Sequence, residues 1–246
     1  MDQLFDILHE DADLLVINKP AGLVCHPTKG DAWSSLISRV RLHLGEGRGA
    51  HLINRLDRET SGVVIVAKNP ETAGALGRAW ESRAVEKEYL AIVHGHVAGE
   101  HALIDAPLGK DDRSRVAIKD GVRADGAAAQ TEFWVERRFV RRVTPGDSNP
   151  SSFSLLRVRP RTGRKHQIRI HLAHLGHPIV GDKIYGGDEE LYLSLVEGCL
   201  TEEQRARLIL PHHALHAAAV RFFWREQAWK FRAAPEPWFT IFASGQ

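Results

Sequence analysis

The sequence predicts an α+β fold. Short apolar, β-branched runs follow one another, helices are interspersed without a steady strand–helix–strand alternation, and glycine and proline punctuate the gaps. Leu14-Leu15-Val16-Ile17 is a strand ended by Lys19-Pro20 and by a loop through Gly22, Pro27 and Gly30. Asp31 caps an expected helix whose apolar positions Trp33, Leu36, Ile37, Val40 and Leu44 recur at helical spacing, with Gly45 as its stop. Gly62 precedes Val63-Val64-Ile65-Val66-Ala67, the composition of a buried strand. Pro70 opens a helix reaching Arg83, and Tyr89 to Val93 reads as another buried strand. Gln130 to Val140 and Ser152 to Arg159 alternate in part and read as strands of the same sheet. His166 to Leu175 is a short helix stopped by Gly176, and His212 to Phe223 with Trp229 to Phe231 are closing strands.

Between these lie two Gly-, Asp-, Ser- and Pro-rich stretches, Asp111 to Gly126 and Thr144 to Ser152, which read as linkers. Gly186 to Leu210 reads as an insertion carrying a polar helix. No repeat or low-complexity tract divides the chain, so residues 1–246 are expected to form a single domain, in one or two lobes.

With 246 residues, 43% of them hydrophobic, the chain has ample material for a core. It contains no apolar run of membrane-spanning length, and acids occupy the start where a signal peptide would be basic. Two cysteines, Cys25 and Cys199, without a CxxC pair, exclude a disulfide framework and a cysteine-rich zinc site, and suit a reducing cytoplasm. Thirty-three basic residues against 31 acidic ones give a net charge of +2, which does not by itself announce a nucleic-acid binder. The distribution is more telling. Arg137, Arg138, Arg141 and Arg142 form one acid-free stretch, and Arg157, Arg159, Arg161, Arg164, Lys165 and Arg169 form a second. A near-neutral protein can still present phosphate with a positive face, although a solvated strand face would show the same runs.

Two constellations can carry chemistry. In Asn54-Arg55-Leu56-Asp57-Arg58-Glu59-Thr60-Ser61-Gly62, a carboxylate stands between two arginines in a turn that feeds a buried strand. Guanidinium neighbours favour its ionised form, as a nucleophile or base requires, while a surface ion-pair cluster is the plainer reading. In Arg161-Thr162-Gly163-Arg164-Lys165-His166-Gln167-Ile168-Arg169-Ile170-His171, a Thr-Gly turn precedes a helix start, where backbone N–H groups and basic side chains can meet a phosphate. Arg169, about one turn on, can reach a carboxylate in bidentate fashion, and a solvated basic helix is the alternative. The histidines His166, His171, His174, His177, His212, His213 and His216 lack an accompanying acidic ligand pattern, so structural roles are expected for them. Tyr89, opening a strand, is either a core residue or a cleft residue that stacks on a base.

Taken together, these motifs resemble the RluA-type pseudouridine synthase family over nearly the whole chain. Asn18-Lys19-Pro20-Ala21-Gly22-Leu23 with His26-Pro27 is similar to its first strand and loop, and Arg55-Leu56-Asp57 with Thr60-Ser61-Gly62 to its catalytic motif. Lys87, Tyr89 and Gly95 match its second motif. Thr162-Gly163-Arg164, His166-Gln167-Ile168-Arg169, His171, Gly176-His177-Pro178-Ile179 and Gly181-Asp182 match the third, and Leu215-His216-Ala217 resembles its late strand.

The resemblance implies a mixed, mainly antiparallel sheet flanked by helices and loops around a central RNA-binding cleft. It implies Asp57 as catalytic aspartate, Tyr89 against the target uracil and Arg169 paired with Asp57. Arg55, Asn54, Arg164, Lys165 and His166 are the expected RNA contacts, Asn54 standing where the family usually has histidine. No metal or organic cofactor is implied. With no room upstream for the S4-type domain of many relatives, the catalytic domain is expected to grip RNA itself, as a cytoplasmic monomer without an obligate protein partner. A non-catalytic RNA-binding module on the same scaffold is the rival reading, although it should have lost Asp57, Tyr89 or Arg169. A metal-dependent RNA hydrolase would need a ligand set the sequence does not supply.

Overall fold

A computed structural model describes residues 5–27, 34–45, 47–143 and 149–245. In chain order the strands are β1 (Asp6–Glu10), β2 (Leu14–Lys19), β3 (His51–Leu52), β4 (Ser61–Ala67), β5 (Glu86–His94), β6 (His101–Asp105), β7 (Leu108–Lys110), β8 (Asp120–Val122), β9 (Gln130–Arg141), β10 (Ser151–Pro160), β11 (Leu215–Trp224) and β12 (Gln227–Arg232). The helices are α1 (Leu36–Leu44), α2 (Pro70–Glu81), α3 (Gln167–His174), α4 (Glu190–Glu197), α5 (Glu202–Leu208) and α6 (Pro237–Ser244). The expected α+β class, with mainly antiparallel pairing, is what the molecule has. The chain divides into two compact units, residues 1–88 with 216–236, and residues 89–215 with 237–246.

In the first unit β1, β2, β4 and β11 lie side by side, with β3 added to β4 and β12 to β11. Every residue of β4 is buried, which is why its sequence is a continuous apolar run instead of an alternation. Val63 and Ile65 pack with Leu14, Val16, Leu76 and Phe222 in one cluster. The β4–β11 pair is parallel, through His216 beside Ser61 and Ala217 beside Gly62. Gly62 has φ +113°, and a Cβ there would lie 2.3 Å from the Ala217 carbonyl oxygen, so only glycine permits this approach. Asn69 caps α2 by accepting from the Thr72 N–H at 2.8 Å, and Pro70 occupies its first turn. For α1 the cap is Ser35, not Asp31, because the helix begins only at Leu36; Asp31 and Trp33 lie outside the described residues. Gly45 ends it as expected, its N–H donating to Arg41 O.

The second unit contains the antiparallel order β5-β10-β9-β6, with α3 and Tyr89 packed on the cluster of Val158, Ile168, Leu172 and Phe133. The stretch Asp111 to Gly126, expected as a linker, instead carries one strand of the β7–β8 hairpin, registered Leu108 to Val122 and Lys110 to Asp120. Val116 anchors this excursion in a cluster with Ile170, Ile184 and Tyr185. The expected insertion Gly186 to Leu210 holds two helices, α4 and α5, around Leu191, Leu200 and Leu208. Most of the second linker, Thr144 to Ser152, falls outside the described residues, and β10 begins at its end.

Candidate active site

In the first unit, Asp57 opens a turn in which the Thr60 N–H donates to the Asp57 carbonyl at 3.2 Å. Both flanks of that turn are fixed. On one side the buried Cys25 Sγ and the Leu56 backbone meet at 3.4 Å. Beside it Lys19 is fully buried, its Nζ donating to the carbonyls of Pro20 and Leu23 at 2.8 Å each and of Arg58 at 3.1 Å. Burial pulls the Lys19 ammonium down to about 8 against the opposing pull of Cys25, Glu236 and Asp57. On the other side Ser61 Oγ meets His216 Nδ1 at 2.9 Å, while His216 Nε2 donates to Ala233 O at 3.0 Å. With Nε2 the donor, Nδ1 of the neutral ring accepts from the serine hydroxyl. Burial lowers the His216 pKa, which keeps that tautomer neutral.

Asn54 holds the same strand. Its Nδ2 donates to Val63 O at 3.0 Å and its Oδ1 accepts from the Ile65 N–H at 2.8 Å. Both ends of the amide therefore serve the β4 backbone. Arg55 is exposed, and Arg58 Nε donates to Gly22 O at 3.1 Å.

In the second unit, Tyr89 pairs in register with Val158 and is partly buried. Arg169 lies in α3 and is 4% exposed. Its Nε donates to Asp182 Oδ2 at 2.6 Å and its Nη2 to Asp182 Oδ1 at 2.8 Å, a bidentate fork with a fully buried carboxylate. Burial alone would raise the Asp182 carboxyl, but the Arg169 charge and hydrogen bonds hold it well below the usual range, helped by His213 and the Tyr185 N–H. The bidentate capacity read from the sequence is thus used on Asp182.

The turn before α3 is closed by side chains. Thr162 Oγ1 donates to Gln167 Oε1 at 2.6 Å, and the Arg164 N–H donates to the same oxygen at 3.0 Å. Gln167 Nε2 reaches Gln130 O and Thr131 Oγ1, both at 2.9 Å. Arg164 and Lys165 remain at the surface, Arg164 Nε on Ala128 O at 3.3 Å and Lys165 on Asp120 at 2.8 Å. His166 Nδ1 meets Tyr185 Oη at 2.9 Å.

The two acid-free runs are acid-free only in sequence. Neighbouring strands supply Glu136 to Arg157 at 2.7 Å and Glu132 to Arg161, and the loop before β6 supplies Glu100 to Arg138 at 2.7 Å. Among the described residues no group of three or more His, Cys, Asp and Glu side chains is arranged to hold a metal ion. Several of the histidines have structural partners: His171 bonds Thr131 Oγ1 at 2.8 Å and Ala106 O at 2.9 Å, and His177 meets His94 O at 2.9 Å. Among the described residues no helix is long and apolar enough to cross a membrane.

Lys19, Ser61, Asp182 and His216 stand in the sequence motifs, which by themselves assign them no task. Tyr185 lies outside those motifs. The signal available for Lys19 and Asp182 was a charged residue directly beside an apolar run or a tight glycine turn, where burial demands an internal partner.

The RNA pseudouridylate synthase family model matches residues 13–174, which include Asp57, Tyr89 and Arg169. The chain belongs to the RNA pseudouridylate synthase family. Among its pseudouridine synthase relatives, the tRNA pseudouridine synthase C of Haemophilus ducreyi is 38% identical over 205 residues, 83% of this chain and 84% of that protein. The ribosomal large subunit pseudouridine synthase D of Xanthomonas campestris pv. campestris is 36% identical over 237 residues, 94% of this chain and 66% of that protein. Human RNA pseudouridylate synthase domain containing 1 superposes with a TM-score of 0.73 at 25% identity, over 95% of this chain and 84% of that one. The chain spans 56% to 66% of the length of several curated pseudouridine synthases it matches.

Proposed function

We propose that this chain isomerises uridine to pseudouridine within RNA. The N-glycosidic bond breaks, the uracil turns, its C5 joins the ribose C1′, and the C5 proton leaves while the freed N1 takes one up, so that no atom is gained or lost overall. Asp57 is the catalytic carboxylate. Tyr89 lies against the uracil, and Arg169 is the cation that serves Asp57. The observation that carries the reading is the construction of the Asp57 turn, tied on one flank by a buried lysine and on the other by the Ser61–His216 bond. A carboxylate that must act at one place needs a turn that does not drift.

The target base must leave its stack, which favours a looped or flipped uridine. Relatives named for the large ribosomal subunit and for tRNA make these two RNAs the candidate substrates. Arg55, Arg164 and Lys165, exposed beside these elements, are the phosphate contacts. Asn54 and His166 have backbone or tyrosine partners, so any RNA contact they make shares the side chain. The protein works in the cytoplasm as a monomer, without a metal, an organic cofactor or a protein partner.

Mapping pseudouridine in cells deleted for the gene tests this. A site should vanish on deletion and return with the wild type but not with Asp57→Asn. A map that wild type leaves unchanged would overturn the synthase reading in favour of a binding module, and equal rescue by Asp57→Asn would remove Asp57 from its role.

A further inference from the structure

Tyr185, just beyond the Gly181-Asp182 turn, touches both members of the buried ion pair formed by Arg169 of α3 and Asp182. Its backbone N–H donates to Asp182 Oδ1 at 3.0 Å, alongside that of Ile184 at 2.9 Å. Its ring faces the Arg169 guanidinium, 5.0 Å from centroid to carbon. Asp182 fixes one edge of the guanidinium through two donors and the tyrosine covers a face, so the plane as well as the position is set.

The far end of the side chain is also held. The Asp120 N–H of β8 donates to Tyr185 Oη at 3.3 Å, and the same oxygen meets His166 Nδ1 at 2.9 Å. His166 is thus joined to the tyrosine hydroxyl. It also sits at φ +54°, ψ 15°, left-handed backbone for a non-glycine residue, immediately before the helix that bears Arg169. Tyr185 is 8% exposed and joins the hairpin, the helix start and the ion pair in a single side chain.

We propose that Tyr185 is the positioning residue for Arg169, its ring fixing the guanidinium plane. Its catalytic meaning rests on the assignment of Arg169 to the pseudouridine-forming site. The ring is the part that orients Arg169, and the hydroxyl is the part that addresses His166 and Asp120.

The test compares full-length wild type, Tyr185→Phe, Tyr185→Leu and Tyr185→Met by solvent exchange of the Arg169 Nε–H in nitrogen-15 spectra, by kcat, and by RNA Kd. Methionine fills the volume without a π face, should leucine fail to fold. Leucine and methionine are expected to speed Nε–H exchange about tenfold and to lower kcat about tenfold, with Kd within about twofold. Phenylalanine should keep both near wild type. Unchanged exchange in the leucine and methionine variants would overturn the positioning, as would a loss in which phenylalanine behaves like leucine. Faster exchange with unchanged kcat would overturn its catalytic importance. If wild type made no pseudouridine, the functional reading would fail, while the exchange rates would still decide what holds Arg169.

Discussion

Ser61 and His216, 155 positions apart in the chain, share a buried hydrogen bond of 2.9 Å that pins the strand leaving the Asp57 turn to the start of β11. Two motifs that are unrelated by spacing become one construction. Ser61→Ala should therefore lower kcat about tenfold with little change in RNA Kd, since the turn shifts while the surface arginines stay. Ser61→Thr, which keeps a hydroxyl, should recover most of the rate. Single-turnover kinetics beside a binding titration would separate these effects, and a loss confined to Kd would contradict the assignment.

Removing Asp182 leaves a guanidinium buried without its fork. Asp182→Ala is expected to cost about 3–5 kcal/mol in urea unfolding. Asp182→Ala combined with Arg169→Met should regain much of that stability yet remain inactive, because the cation is gone. A double variant no more stable than the single one would show that the pair is not what holds this part of the fold.

Lys19→Met keeps the length of the side chain and deletes its donor. The carbonyls of Pro20, Leu23 and Arg58 then lose their partner, which should cost about 1–3 kcal/mol for each one left buried and unbonded. A midpoint within a few tenths of a molar urea of wild type would mean that water replaces the ammonium.

Asn54→Asp tests the amide on β4. The Ile65 N–H keeps an acceptor, but the Val63 carbonyl meets a second acceptor in place of a donor. We expect a loss of about 1–2 kcal/mol, and Asn54→Ala should lose a similar amount by leaving both backbone groups unpaired. Thermal unfolding of the two variants with the wild type checks this.

His94, His171 and His216 all have pKa values lowered first by burial. The unfolded chain therefore takes up protons before the folded one does. Stability is full above pH 6.5 and falls as the pH drops from there towards the lowered folded values. The ion-paired carboxylates lose their contribution only at lower pH, so calorimetry between pH 7.5 and 5 isolates the histidines. His171→Gln should flatten the slope, and a flat wild-type profile would contradict it.

The strands with the clearest composition were legible. Val63 to Ala67 announces burial on its own, Tyr89 to Val93 is a strand buried from Ala91 to Val93 only, and Gly45 and Asn69 mark helix ends by local chemistry. What the sequence hid depends on partners far along the chain. Asp111 to Gly126 looks like a linker because its hairpin is stabilised by Val116 in a distant cluster, not by alternation within the strand. The arginine runs look uncompensated because Glu132 and Glu136 reach them across strands and bulges. At the candidate site, residue types were readable from the motifs, but the Asp182 fork and the Tyr185 cover on Arg169 follow only from the turn at Gly181, where a Cβ would lie 2.4 Å from His212 O.

The first compact unit is assembled from two stretches of chain separated by most of the second. During synthesis on the ribosome, β4 emerges early with a fully apolar sequence, yet its parallel neighbour, residues 216–224, is made only after the second unit's long central segment. Until then one edge of the strand that leads away from Asp57 is unpaired and sticky, a natural client for a chaperone. The competence of the Asp57 turn is thus a late event in the life of the chain: a truncation before His216 would carry every residue of the motif around Asp57 and still lack the clasp that sets it.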